Sequence, residues 1–189
     1  PRVGEVMQWP ALAATMRTIA RGGRDAFYGG EIAEDILATV RAKGSLLTMD
    51  DFARHRGNWV KPIATSFMDR EILEIPPNGQ GLTALIALNI LSVIGLKRHA
   101  PDSAERHHIE IEAMKLAWEL RNRHIADPDF AEVPVEELLS DKTAAKLASL
   151  IDMNRALDIE AAMRTSDTIY LSVVDEQRLA VSFINSVYY

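Results

Sequence analysis

Apolar residues recur at helical spacing through most of this chain and at strand spacing in one short stretch before residue 76 and again near its end. After Pro10, the residues Leu12, Met16 and Ile19 run into Gly22-Gly23, which predicts a helix opened by proline in its first turn and stopped by glycine. Gly29-Gly30 precede Ile32, Ala33, Ile36, Leu37 and Val40, an i, i+4 stripe closed by Gly44. Thr48-x-x-Asp51 matches a capping box with Asp in the Glu position and opens a short helix through Phe52. Residues 59–67 and 70–75 read as a strand pair turning at Met68-Asp69-Arg70 and ending at Pro76-Pro77. Asn78-Gly79-Gln80-Gly81 then turns the chain into an apolar helix over 82–94. A long helix over 103–125 carries Ile109, Glu112, Ala113, Leu116 and Leu120 on adjoining faces until Asp127-Pro128-Asp129 breaks it. Two shorter helices are predicted over 135–139 and 142–151.

After these helices the period changes again from 3.6 to 2. Thr168, Tyr170, Ser172 and Val174 alternate with Ile169, Leu171 and Val173, the chain turns near Glu176-Gln177-Arg178, and an apolar run resumes over 179–188. This pattern predicts a β-hairpin. With the turn centred on Gln177, Val174 faces Ala180, Ser172 faces Ser182 and Thr168 faces Ser186. Directly opposed side chains lie about 4.5–5.5 Å apart at Cβ, so two hydroxyl residues meet at the open end of the hairpin. A slip of one residue would separate them. The expected fold class is α+β, mostly helical with a C-terminal β-hairpin.

Composition narrows the functional classes. A chain of 189 residues lies in the range of one domain, and 48% hydrophobic with 25% charged residues is ordinary for a globular protein. Lys and Arg number 21 against 27 Asp and Glu, a formal charge of -6 with no basic block, so no nucleic-acid partner is expected. The apolar run over 82–96 is interrupted by Thr83, Asn89 and Ser92 and is too short to span a bilayer, so no membrane partner is expected either. The absence of cysteine excludes disulfides and thiolate chemistry but leaves the compartment open. Because the chain opens at Pro1 without an initiator methionine, the lack of a targeting signal says nothing about localisation.

Thr168 is the candidate with chemistry in it. A threonine hydroxyl is a weak nucleophile until a base takes its proton, and one solution exposes the threonine as a new N-terminus whose own α-amine is that base. Strand pattern alone favours the plain reading, since threonine at a strand start is commonplace. Elsewhere, His108 and Glu112 share a helix face as two metal ligands would, but no third ligand has the spacing, and hydrogen bonding on the helix surface is the simpler role. No metal or cofactor is expected. Arg106, His107, Arg121 and Arg123 read as a solvated face, the Gly79/Gly81 turn lacks the lysine of a phosphate loop, and Trp9, Trp59 and Trp118 read as core or interface packing.

A family resemblance adds what spacing does not. Pro10-Ala11-Leu12-Ala13-Ala14-Thr15, Ala26-Phe27-Tyr28-Gly29-Gly30-Glu31-Ile32-Ala33, Leu47-Thr48-Met49-Asp50-Asp51-Phe52, Pro76-Pro77-Asn78-Gly79-Gln80-Gly81 and Glu112-Ala113-Met114-Lys115 stand in one order. In that order, with His108 ahead of Glu112 and Asp127-Pro128-Asp129-Phe130 behind it, they resemble the γ-glutamyltranspeptidase family. The resemblance implies an N-terminal-nucleophile hydrolase with an α-β-β-α sandwich, made as a precursor that cuts itself into large and small subunits. It implies Thr168 as nucleophile and cleavage point, attacking the Asp167–Thr168 bond, and Ser186 as the hydroxyl residue that hydrogen-bonds the nucleophile. Residues 1–167 would then be the C-terminal part of a large-subunit-like region, and 168–189 the start of a small-subunit-like one.

Departures qualify the substrate. Tyr188 stands where the transpeptidases have an Asn that helps hold the glutamyl group, Ile169 where a second Thr is common, and Tyr170 where a His is found. They point to the acylase-like branch, with a small-molecule γ-glutamyl or other acyl-amide substrate. The large-subunit Arg and the small-subunit Gly pair of the family have no counterpart here. The chain is therefore expected to be an internal fragment, inactive alone, whose partners are the remaining segments of the same precursor. By resemblance the precursor would be periplasmic or secreted, with a cytoplasmic location left open. The rival expectation is a noncatalytic helical scaffold whose hairpin edge pairs with another chain.

Overall fold

Side-chain caps open three of the seven α-helices among the described residues. The computed structural model describes residues 2–158 and 168–186, and the chain divides into two units, Pro1–Trp59 and Val60–Tyr189, where its length alone allowed one. In the first unit, α1 (Pro10–Tyr28) begins with proline in its first turn as expected. It does not end at the glycine pair: Gly23 takes φ 58° and kinks the helix, which resumes to Tyr28. α2 (Glu31–Arg41) buries Ala33 and Leu37 from the predicted stripe. α3 (Met49–Arg54) starts in the predicted capping box, with Thr48 Oγ1 accepting from the Asp51 N–H at 3.3 Å and Asp51 Oδ2 accepting from the Thr48 N–H at 2.8 Å. The Thr48 hydroxyl also donates to Asp51 Oδ2 at 2.7 Å, and this bond, the Thr48 N–H and the neighbouring Arg54 charge hold the Asp51 carboxyl below its ordinary value. Tyr28 stacks on His55 with ring centroids 5.1 Å apart, and the Arg24 guanidinium lies 5.0 Å from the Tyr28 ring.

The second unit is built around α4 (Gly81–Ile94), which is apolar all round and buries Leu82, Leu85, Ile86 and Ile90. β1 (Ile63–Phe67) and β2 (Arg70–Glu74) form an antiparallel hairpin against it. β1 starts later than the predicted residue 59 because Pro62 has no N–H to offer a ladder. Met68 and Asp69 take positive φ, 48° and 65°, the backbone of a two-residue turn that follows the strand twist. Asn89, the polar break in α4, accepts from Thr65 Oγ1 and donates to the Leu139 carbonyl at 3.1 Å, so it links the hairpin to the later helices. Gly95 closes α4 in the left-handed conformation, φ 78°.

α5 (Ala104–His124) is capped by Ser103, whose hydroxyl accepts from the Arg106 N–H, and lays Ile109, Ala113, Leu116 and Ala117 against α4. Its basic residues meet acids one turn away, Arg106 with Glu110 at 2.9 Å and Arg123 with Glu119 at 2.7 Å, as a solvated face requires. α6 (Val135–Leu138) and α7 (Asp141–Ala148) add Leu138 and Leu147 to the same core. α7 stops short of the predicted residue 151 because the Leu150 and Ile151 N–H groups turn back to Leu147 and Ala148 and tighten its last turn. The tryptophans depart from the core half of their expectation. Trp9, Trp59 and Trp118 are all exposed, and Trp118 carries the Arg121 guanidinium 5.9 Å from its ring.

Candidate functional site

β3 (Thr168–Val174) and β4 (Ala180–Ser186) pair antiparallel with the register that centring on Gln177 predicts. Thr168 opposes Ser186, Ser172 opposes Ser182 and Val174 opposes Ala180. The turn fixes this register. The Asp175 N–H donates to the Leu179 carbonyl at 3.1 Å, the Leu179 N–H to Asp175 Oδ1 at 2.8 Å, and Arg178 takes a left-handed φ of 63°, leaving a three-residue loop. Ser182 Oγ donates to the Tyr170 hydroxyl at 3.0 Å, a diagonal contact on one face of the pair. Tyr170 is thereby tied to β4. Asp167 and Tyr188 lie outside the described residues, and for Thr168 and Ser186 the description is of backbone register.

Every described side chain from Tyr170 to Ile184 is exposed. One face of the hairpin carries Leu171, Val173, Val181 and Phe183, all apolar and exposed. A sheet with that face toward water lacks the cover its composition calls for.

Ahead of Thr168 the chain is held by α5. His108 and Glu112, the pair one turn apart, both bond the segment that follows α7. His108 Nε2 donates to the Asp152 carbonyl at 2.9 Å, and since a carbonyl only accepts, that nitrogen carries the proton. Glu112 is 1% exposed. Its Oε2 accepts from the Leu157 N–H at 2.7 Å and its Oε1 from Lys115 Nζ at 2.9 Å, while Lys115 Nζ also donates to the Leu157 carbonyl. Burial alone would raise the Glu112 pKa, but the bonds from Lys115 and Leu157 and the charges of Lys115 and His108 outweigh it and hold the carboxyl below its ordinary value. Between the two anchors, Asp152 and Arg155 form an isolated bridge, and Asp152 Oδ1 accepts from the Asn154 N–H at 2.9 Å.

Glu112 is thus no surface hydrogen-bonding residue: it is buried and bonds a backbone N–H and a lysine. Among the described residues no group of three or more His, Asp or Glu is placed to hold a metal ion. Pattern gives Lys115 no role beyond its place in the Glu112–Lys115 motif, and gives Asp152 and Leu157 none. A signal existed in the i, i+3 pair Glu112 and Lys115 on the stripe of Ile109, Ala113 and Leu116, because a carboxylate on an apolar face needs a partner. Among the described residues, no helix is long and apolar enough to cross a membrane.

Known proteins resemble the chain over its whole length. The family model described as Gamma-glutamyltranspeptidase matches residues 1–189. A glutathione hydrolase-like proenzyme of Bacillus subtilis is 38% identical over 100% of the chain and 36% of its own length. An oxamate amidohydrolase proenzyme of Klebsiella pneumoniae is 36% identical over 100% of the chain and 35% of its own. The crystal structure of cephalosporin acylase from Bacillus halodurans superposes with a TM-score of 0.77 at 40% identity, covering 100% of the chain and 34% of that protein. The chain therefore spans about a third of the length of the curated relatives it matches.

Proposed function

The chain belongs to the gamma-glutamyltranspeptidase family, and from that premise we propose that it carries the processing junction and nucleophile of an N-terminal-nucleophile acyltransferase or amide hydrolase. The observation that carries this reading is the β3–β4 register, which sets Thr168 opposite Ser186 inside a family member. In the precursor, Thr168 Oγ adds to the Asp167 carbonyl carbon, the peptide C–N bond breaks, and the hydroxyl proton goes to the departing nitrogen. Water then cleaves the resulting ester, leaving an Asp167 carboxylate and a Thr168 with a free α-amine. Residues up to 167 fall to the large subunit and those from 168 to the small one.

In turnover the α-amine takes the Oγ proton, Thr168 forms an ester with the acyl group of the substrate, and water or an amino acid accepts that group. Ser186 hydrogen-bonds the nucleophile. The acyl donor is a γ-glutamyl or other acyl amide, and the departures at Tyr170 and Tyr188 favour the acylase-like end of that range. The Bacillus halodurans relative, named as a cephalosporin acylase, supports the same leaning. Donors for the developing oxyanion and for the substrate carboxylate come from other segments of the full-length protein.

The full-length gene decides it. Expression followed by a denaturing gel and N-terminal sequencing is expected to give two chains, the smaller beginning at Thr168, and Thr168→Ala a single uncut one. A screen of the processed protein against γ-glutamyl anilides and other acyl amides then names the donor. An intact band after long incubation, identical in Thr168→Ala, would establish the noncatalytic scaffold instead.

A further inference from the structure

The face of the hairpin that bears Thr168 turns apolar one step along the strands. By the two-residue period Thr168, Tyr170 and Ser172 share that face with Ser186, Ile184 and Ser182, which oppose them in that order. Ser182 Oγ donates to the Tyr170 hydroxyl at 3.0 Å. Since Ser182 opposes Ser172, one step nearer the turn, the Tyr170 ring leans toward the turn and does not cover the Thr168–Ser186 end. Beside that end stand the Tyr170 ring and Ile184, 59% and 62% exposed. No charged residue occurs over 168–174 or 179–186, so this stretch of the face is uncharged as well as apolar.

We propose that Tyr170 and Ile184 are specificity-determining residues, an apolar floor that selects donors with an alkyl or aryl acyl group over donors with a γ-glutamyl group. The proposal rests on the reading of Thr168 as the nucleophile. One step of two residues along a strand is about 6.8 Å, so an acyl group joined to Thr168 and lying along this face meets Tyr170 and Ile184 within its first few carbons. The carbon that bears the ammonium and carboxylate of a γ-glutamyl group is the third beyond the carbonyl. Laid on this floor, both charges lose water and find no opposite charge on it, whereas an alkyl chain or a phenyl ring gains apolar contact. The phenol oxygen of Tyr170 is turned to Ser182, which leaves the ring for the acyl group.

The test uses the processed full-length protein and three donors with one leaving group, the phenylacetyl, butyryl and γ-glutamyl p-nitroanilides. In wild type, kcat/KM for the better of the two apolar donors is expected to exceed that for the γ-glutamyl donor by about tenfold or more. Tyr170→Asn is expected to cut that ratio about tenfold, through a higher KM for the apolar donor with little change in kcat, whereas Tyr170→Phe keeps it. A wild-type ratio below about tenfold overturns the proposal and leaves Thr168 as the nucleophile. An unchanged ratio in Tyr170→Asn does the same, since a loss shared by all donors marks a structural role. An equal fall in Tyr170→Phe assigns the effect to the hydroxyl and overturns the apolar floor as well. If Tyr170→Asn is not processed, Ile184→Thr, which keeps the β-branch and removes apolar surface, takes its place with the same expected fall. A wild-type precursor that never yields an N-terminus at Thr168 removes the functional reading itself, and the proposal with it.

Discussion

Glu112 Oε2 accepts the N–H of Leu157 at 2.7 Å, joining the middle of α5 to a segment 45 residues further on. This one bond and its Lys115 counterpart give a carboxylate a place in an otherwise apolar core. Glu112→Ala leaves Lys115 and the Leu157 N–H without their acceptor in a buried site. The expected loss is about 3 kcal/mol of folding stability, measured by urea unfolding of the uncleavable Thr168→Ala precursor.

The same carboxylate sets an acid limit. Its folded pKa lies below the ordinary 4.5, so between those values the unfolded chain binds more protons than the folded one. The contribution of Glu112 is full above about pH 4.5 and is lost as the pH falls through the folded value. Stability measured by urea unfolding is expected to fall less steeply below that pH in Glu112→Gln than in the parent, and parallel slopes would contradict the assignment.

Asn89 is the polar residue that α4 carries into its packed surroundings, bonded to Thr65 and to the Leu139 carbonyl. Asn89→Leu keeps the bulk and strands both partners. A loss of about 1–3 kcal/mol is expected in chemical denaturation.

Gly95 ends α4 at φ 78°, and a Cβ there would stand 3.1 Å from the Arg98 guanidinium nitrogen. Gly95→Ala is expected to cost about 1 kcal/mol through the left-handed backbone, read as a lower thermal transition. The flexible Arg98 side chain can yield, so the backbone sets the size of the effect.

Ser186 opposes Thr168 in the hairpin. If its hydroxyl hydrogen-bonds the nucleophile, Ser186→Ala slows both self-cleavage and turnover by about tenfold, the worth of one hydrogen bond. Ser182→Ala, two residues along and bonded to Tyr170 instead, leaves both rates close to wild type.

Much of the architecture is legible in order along the chain, because the signals that decide it are local. The Thr48 capping box, the αL glycine at Gly95 and proline at Pro10 are read from neighbours within a few residues. Where a local signal misled, another local preference had won. Gly22-Gly23 permitted a kink inside α1 rather than an end to it, and Pro62 withheld the N–H that would have let β1 start earlier.

The hairpin register is the clearest case of what the sequence by itself determined. A side-chain period of 2 and a turn centred on Gln177 leave one pairing that keeps Leu171, Val173, Val181 and Phe183 on one face, and that pairing sets Thr168 against Ser186. Tertiary structure alone decided the role of Glu112. Helical spacing puts Glu112 beside His108 and Lys115, but it cannot name which distant stretch of backbone returns to meet them. Only the packing of α5 and α7 on α4 brings Leu157 to the carboxylate. The physical reason is the range of the forces: caps and alternation act between neighbours in sequence, whereas a buried charge is satisfied by whatever the whole fold delivers to it.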